Sequence, residues 1–491
     1  MGKMGPFQDL PLSRPKGEKQ LWRWLTDELR KAILTGRLKR GMRLPSSREL
    51  ARQCECSRGT VVTAYNYLLE EGYVEMQRGA GTFVAGTLPD ALLSTRQTAI
   101  QLPRRPLPSH LSKRGQITIE HVSPLPLSLS FGKAFRAYEP AIDLFPTHIW
   151  SRIAGRVIRH APRSLYGQGD ARGYAPLRKA IAEYVGSARG VRCEPDQVVI
   201  TAGAQQALDL VARLLLDPGD AVWIEDPGYP GASRVFKSWG ARVVPVPADD
   251  QGIRIDAAPA QRKNAKLIYT TPANQFPLGV TMSLPRRLQL LKRAKDMGAW
   301  IVEDEFDAEY RYFGRPVPAL QSLDQSGAVI YVGTFTKMLF NSLRLGFLVL
   351  PVQLVEAFAA VRFLVDRHSP TLDQAVLAEF IFEGHFAHHV RRMRQVYSER
   401  INVLVEAAQS RLGDRLNVEP VATGMRTIGW LIKGQRDQTV AARACSQGLE
   451  VVAISRYALQ NVPPPGLLLG FAGSAPTELR RGVEVLANVL G

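Results

Sequence analysis

In the segment GTFTKMLFNSLRLG, Lys337 follows an apolar run, with hydroxyls at Thr334 and Thr336 before it and a cation, Arg344, after it. A lysine amine in such a setting is a nucleophile for carbonyl carbon. Asp304 ends the apolar run AWIVED and is an acid able to keep a proton on a ring nitrogen. Gly203, Ala204 and Gln205 stand between the run VVIT and the amphipathic stretch QQALDLVARLLL. Backbone N–H groups at such a helix start can grip a phosphate. Tyr229, in DPGYPG, is an aromatic ring at a loop that could stack on a flat ligand. Asn274, in TPANQFPLG, carries an amide able to hold a ring oxygen.

These are the parts that pyridoxal 5'-phosphate asks of a protein: an amine for its aldehyde, an acid for its ring nitrogen, and donors and a cation for its phosphate. Singly, each residue has an ordinary structural explanation. Lys337 could be a solvated charge, and Asp304 one of the five carboxylates in VEDEFDAEYRY. Tyr229 could be rim packing, and Gly203 a tight strand–helix turn. Their order along the chain is what joins them.

The elements that must position these residues are legible as periodicity. From about residue 141, short apolar runs (VVITAG, AVWIED, ARVVPVP, KLIYTTP, AWIVEDE, VIYVGTF and LGFLVLP) alternate with amphipathic helices. Such alternation predicts an α/β domain with a mostly parallel sheet and crossover helices. Residues 87–140 contain Pro103, Pro106, Pro108, Pro124 and Pro126 among scattered basic side chains, which reads as a partly extended linker.

Residues 15–86 read as a winged helix-turn-helix. A first helix, LWRWLTDELRKAILTG, puts Leu21, Trp24, Leu25, Leu29 and Ile33 on one face and stops at Gly36. A second begins near Ser46 and runs through ELARQ. Ser57 caps a third, SRGTVVTAYNYLLEEG, with Val61, Tyr65, Leu68 and Leu69 expected to face the core. Its first turn offers Arg58, Thr60 and Thr63 to a major groove, with Arg48 nearby. Two strands follow around a basic tip, Arg78-Gly79-Ala80-Gly81, of a size to rest in a minor groove.

Composition agrees with a polyanion partner. Of the net charge of +18, +10 falls within residues 1–135, and lysines and arginines that meet phosphates release condensed counterions. Four cysteines in 491 residues exclude a disulfide framework. The start of the chain lacks the apolar core of a signal peptide, and no apolar run is long enough to span a bilayer. A cytoplasmic location and no bound metal are expected.

LPSSREL, SRGTV, AYNYL and RGAGTFV together resemble the GntR family of winged-helix regulators, and the Lys337 constellation resembles the fold-type I aminotransferases over about residues 140–490. Joined in one chain they resemble the MocR/GabR subfamily of bacterial regulators, further carried by LYGQGDARGYAPLRKAI, TAGAQQAL and LLLGFAG. The resemblance implies DNA binding as a homodimer, with Arg48, Ser57, Arg58, Thr60 and Arg78 near phosphates or bases. It implies Lys337 as the internal aldimine, Asp304 as the ring-nitrogen partner, and Thr334, Thr336 and Arg344 as a phosphate cup. The subfamily arrangement, with each DNA-binding domain over the partner's large domain, is likewise implied only by resemblance.

Three departures stand out. Phe306 replaces a usual tyrosine, Asn274 stands where histidine is common, and Leu468 occupies the last-strand position at which catalytic aminotransferases carry a carboxylate-binding arginine. Arg426 and Arg456 are the alternatives. A regulator of transcription sensing the cofactor or an amine or amino acid (GABA and taurine are examples) is therefore expected, with at most residual half-transamination. A working aminotransferase with an accessory DNA-binding domain, or an empty dimerisation scaffold, are the other readings.

Overall fold

The computed structural model describes residues 20–77, 79–88, 111–121, 133–258, 264–314, 317–432 and 434–491. Two compact units result, Met1–Ser109 and His110–Gly491.

In the first, serines set the helix starts. After α1 (Leu21–Leu34), α2 (Ser47–Gln53) begins where Ser46 Oγ accepts the Glu49 N–H at 3.3 Å, and α3 (Arg58–Glu70) where Ser57 Oγ accepts the Thr60 N–H at 3.1 Å. Each bond satisfies one of the four N–H groups that a helix start leaves without a partner. Leu25, Leu29 and Ile33 of α1 pack with Leu50, Val61, Tyr65 and Leu68 in one apolar core. Each fully buried leucine contributes about 2 kcal/mol to holding the helices together. Leu69, expected in this core, is instead exposed, because the helical turn carries it about 100° round from Leu68. Then β1 (Val74–Gln77) pairs antiparallel with β2 (Gly81–Val84), in the register Val74↔Val84. The connecting turn uses Gly79 at φ +77°, a backbone conformation in the left-handed region.

The second unit is built on an eight-stranded sheet. Its strands are β3 (Val198–Thr201), β4 (Ala221–Asp226), β5 (Arg242–Asp249), β6 (Gly252–Ile253), β7 (Leu267–Thr270), β8 (Trp300–Glu305), β9 (Val329–Thr334) and β10 (Gly346–Val349). Their spatial order is β3-β10-β9-β8-β7-β4-β5-β6. β5, β4, β7, β8 and β9 run parallel. Within this mostly parallel sheet, β10 runs antiparallel to both β9 and β3. The reason is local: residues 335–345, which carry Lys337, join β9 to β10 and are too few to hold a crossover helix.

Alternation along each strand serves both sheet faces. Val222, Tyr269, Val302 and Val332 pack with Leu208 and Val211 of the helix Ala204–Leu215 and with Phe236 of the helix Pro230–Ser238. Trp223, Ile268 and Ile301 pack the other way, with Leu290 of the helix Leu284–Met297. A smaller antiparallel sheet follows, from β11 (Leu416–Val418), β12 (Arg426–Leu431), β13 (Val452–Ala453) and β14 (Gly466–Gly470), in the order β11-β12-β14-β13. The helices His385–Leu412 and Pro476–Leu490 pack together and share its core.

Within the stretch read as a partly extended linker, two parts are packed against the large unit. Lys113–His121 is helical and packs on the helix Pro230–Ser238, with the Arg114 guanidinium 4.2 Å from the Trp239 ring centre. Ala134 and Phe135 are buried in the large core, and Phe135 bridges the backbone of Gly470. Periodicity over so short a helix is too brief to distinguish it from a loop among prolines. Among the described residues, no helix is long and apolar enough to cross a membrane.

Candidate functional site

The carboxyl ends of parallel strands form the crevice in which open α/β sheets bind ligands. The residues singled out from sequence lie at these ends. Thr334 closes β9, Asp304 is near the end of β8, Asn274 follows β7, and Tyr229 follows β4.

Lys337 sits in the turn between β9 and β10. Its Nζ donates to the carbonyl of Tyr138 at 2.8 Å and to Asn341 Oδ1 at 3.2 Å, and lies 5.6 Å from the Tyr138 ring centre. Burial pulls its pKa down to about 8; Asp307 opposes that shift, while Arg426 and Arg344 add to it. A useful fraction of the amine is therefore neutral near physiological pH.

Asp304 is 4% exposed, and burial pushes its carboxyl up to about 7 against the lowering effect of a hydrogen bond from Tyr269. The Tyr269 hydroxyl donates to Oδ2 at 2.7 Å, while Oδ1 is buried without a partner. A second buried oxygen, Thr336 Oγ1, also has none. An unpaired acceptor on an acid and an unpaired hydroxyl are what a protonated ring nitrogen and a phosphate would satisfy. On this test the residues fit pyridoxal 5'-phosphate.

The strand-end turn at which a phosphate was expected is organised by glycine. Gly203 has φ +88° and ψ 174°, a backbone conformation close to glycine-only, and begins the helix Ala204–Leu215. Arg344 donates to the carbonyl of Ala202 at 2.9 Å, and a Cβ on Gly203 would meet its guanidinium at 3.3 Å. Thr334 Oγ1 accepts the Thr336 N–H at 3.2 Å. Gln205 is exposed, and its side chain accepts from the Tyr229 hydroxyl at 3.3 Å. Tyr229 meets Phe276 edge-on, with centroids 5.6 Å apart.

Asn274 uses one N–H of its amide on Asp307 Oδ1, at 2.6 Å. Asp307 was not singled out from sequence. It is buried, and its Oδ2 accepts from Arg426 Nη1 at 3.0 Å and from the Met425 N–H at 3.3 Å. Desolvation raises its pKa, and the Arg426 charge opposes this. Of the two substitute arginines, Arg426 is buried in this cluster, whereas Arg456 is exposed. Leu468 lies in an apolar group with Phe276, Ile428 and Tyr457.

Sequence reasoning also missed Tyr269, Tyr138, Phe276 and Tyr457. Tyr269 pairs in register with Val302, two residues before Asp304 on the same strand face, so its long side chain reaches the carboxylate diagonally. A tyrosine in a strand beside an acid-ended strand was the available signal. The hydroxyls of Tyr138 and Tyr457 are 2.6 Å apart, and Tyr138 came from the stretch read as linker, where nothing local marked it.

On the first unit, Arg48, Ser57 and Arg58 are exposed, and Thr60 and Thr63 are half-buried. The Ser57 hydroxyl is engaged with both the N–H and the hydroxyl of Thr60, the latter at 2.8 Å, so it acts as a cap. Arg58 Nε donates to Ser47 Oγ at 3.3 Å, tying the start of α3 to α2. Arg78 lies outside the described residues.

The chain matches two families: bacterial regulatory proteins of the gntR family over residues 23–84, and aminotransferase class I and II over residues 145–485. It is 41% identical to the probable rhizopine catabolism regulatory protein MocR of Rhizobium meliloti, across 95% of this chain and 93% of that protein. It is 30% identical to the HTH-type pyridoxine biosynthesis transcriptional regulator PdxR of Corynebacterium glutamicum, across 96% of each. Its fold is similar to that of LysN, the alpha-aminoadipate aminotransferase of Thermus thermophilus, solved with N-(5'-phosphopyridoxyl)-L-leucine. That likeness has a TM-score of 0.69 at 29% identity, over 77% of this chain and 97% of LysN. With both regions present in this order and such end-to-end similarity, the chain belongs to the MocR/GabR-type subfamily of GntR-family transcription regulators, in which a GntR-type DNA-binding region is fused to a domain of fold-type I aminotransferase architecture.

Proposed function

We propose that this regulator holds pyridoxal 5'-phosphate at Lys337 and responds to the cofactor itself or to a small amine or amino acid, acting as a cytoplasmic homodimer on double-stranded DNA. One observation carries the reading: Asp304 Oδ1 and Thr336 Oγ1, buried and unpaired, accompany a lysine whose amine is brought to a pKa of about 8. When bound, the cofactor supplies an aldehyde that accepts amines and a ring that withdraws electrons. The chain supplies the rest. Lys337 provides a partly neutral amine, held by Tyr138 and Asn341. Asp304 Oδ1 would accept a hydrogen bond from a ring nitrogen that keeps its proton, and Tyr269 orients that carboxylate. Arg344, Thr336 and the N–H groups after Gly203 take the phosphate.

For an effector to alter transcription it must bind two arrangements of the regulator with different affinity; otherwise no population shifts. The test starts with visible absorbance on adding pyridoxal phosphate to the wild type and to Lys337→Ala. A band in the wild type alone is expected, followed by a change in DNA affinity or footprint as amine is titrated. No band in either protein overturns the cofactor reading.

The match over residues 145–485 to aminotransferases favours a second reading, an active aminotransferase with an accessory DNA-binding domain. Steady turnover of an amino acid with an oxo acid, at roughly 1–1000 per second, would establish it. The apolar packing of Leu468 speaks for residual half-transamination at most.

A further inference from the structure

Of residues 111–120 none is buried, and Ile119 is 61% exposed. Yet Lys113–His121 is a helix, with Ser112 Oγ accepting the Gly115 N–H at 3.1 Å at its start. Nine residues with a glycine among them are too few to hold a helix alone in water, so this one owes its form to the surface beneath it. That surface is the end of the helix Pro230–Ser238, where the Arg114 guanidinium lies 4.2 Å from the Trp239 ring centre. Trp239 is itself fixed from within the large unit. Its Nε1 donates to Asp209 Oδ1 at 2.7 Å, and the Arg213 guanidinium lies 4.8 Å from its ring centre. A short helix held in this way folds as it docks and melts as it leaves.

The opposite end of the helix Pro230–Ser238 belongs to the crevice. Its N-cap is Tyr229, whose hydroxyl donates to Gln205 Oε1 at 3.3 Å, while Gln205 Nε2 donates to the Gly231 carbonyl at 3.3 Å. Farther along, Phe236 meets Tyr269 edge-on, with centroids 6.1 Å apart, and Tyr269 holds Asp304. One rigid helix, about 13 Å long, therefore touches the residues read as ring face, phosphate end and ring-nitrogen partner, and ends at Trp239.

We propose that Lys113–His121 is a latch: it docks reversibly on Trp239, and filling the crevice beside Tyr229 makes it dock more firmly. A ligand against Tyr229 narrows the motion of the helix Pro230–Ser238, and a surface already ordered costs less to dock on. The consequence is carried by chain length. Docked, the large unit grips the chain at Lys113; released, it grips first at Ala134 and Phe135. Release therefore lengthens the chain leading to the DNA-binding region by about 20 residues and changes its reach. The effect of the crevice rests on the cofactor reading above; the docking does not.

Hydrogen exchange at short labelling times on the full chain tests both halves. Alanine is a strong helix former, so Arg114→Ala keeps the propensity of the segment and removes its hold on Trp239. Without cofactor, that variant should exchange about two- to fivefold faster over residues 113–121. Thr118→Pro, which breaks the segment in mid-helix, should abolish protection there. Protection unchanged in Arg114→Ala, or none in the wild type, overturns the docking. Saturating pyridoxal phosphate should slow exchange over the same residues at least about threefold in the wild type, and by linkage Thr118→Pro should bind it more weakly by that same factor. Cofactor binding that leaves either readout unmoved overturns the coupling and keeps the cofactor reading. With no visible band at all, the cofactor reading fails and the coupling with it, while the Arg114→Ala result alone decides the docking.

Discussion

Tyr269 donates its hydroxyl hydrogen to Oδ2 of Asp304 at 2.7 Å, while Oδ1 of the same carboxylate is buried with no partner. The phenol thus fixes the acid and lowers its pKa from the height to which burial alone would push it. Asp304→Asn removes a charged acceptor, a loss of about 1.5–3 kcal/mol, so the affinity for pyridoxal phosphate should fall roughly 10–100-fold. Tyr269→Phe should move the acid limb of cofactor binding to higher pH, because the carboxylate then holds its proton more tightly. Equilibrium titration followed by visible absorbance checks both, and an unmoved limb in Tyr269→Phe would remove the phenol from this role.

Lys337 makes a kinetic prediction. With a pKa of about 8, the amine is mostly ammonium below that pH and mostly neutral above it. Capture of added pyridoxal phosphate by the cofactor-free chain should accelerate up to roughly tenfold per pH unit toward pH 8, then level off. Stopped-flow absorbance reads it, and a flat profile between about pH 6 and pH 9 would contradict it.

Gly203 is a test of the phosphate end. Alanine there carries a backbone strain of about 1–3 kcal/mol. Its Cβ also meets the Arg344 guanidinium at 3.3 Å, forcing the cation to shift. Gly203→Ala should lower stability by that amount and weaken cofactor binding more than Ala204→Gly does. Denaturant unfolding and cofactor titration separate the two effects, and unchanged affinity in Gly203→Ala would take Arg344 out of the phosphate cup.

The face formed by α2 and α3 makes the DNA prediction. Ser57→Ala loses the cap of α3 and should cost about 1 kcal/mol of stability. Arg48→Ala and Arg58→Ala should each weaken DNA binding and reduce the magnitude of the salt slope by about one if the side chain meets a phosphate. Loss confined to particular operator sequences would assign base contact instead. Salt slopes and affinities unchanged in both would remove this face from the interface.

The parts legible in the sequence were those decided by a few neighbouring residues. Ser57 caps α3 because its hydroxyl needs only the N–H three residues on, and seven apolar runs became strands because alternation and burial are local patterns. Lys337, Asp304, Asn274, Tyr229 and Gly203 could be picked out because each follows or ends a strand, and ends of parallel strands converge. Tertiary structure alone decided the rest. The pairing of Tyr269 with Asp304 depends on the register of β7 against β8, and that of Arg426 with Asp307 joins residues 119 apart in the chain. The Tyr138 carbonyl reaches Lys337 from a stretch with no local signature. Leu69 turned outward, and β10 reversed direction, because neighbouring packing and the length of a connection outweigh the apolar character of any single residue. Residue type states what a side chain can donate or accept, and only the folded backbone determines which buried donor is left without a partner.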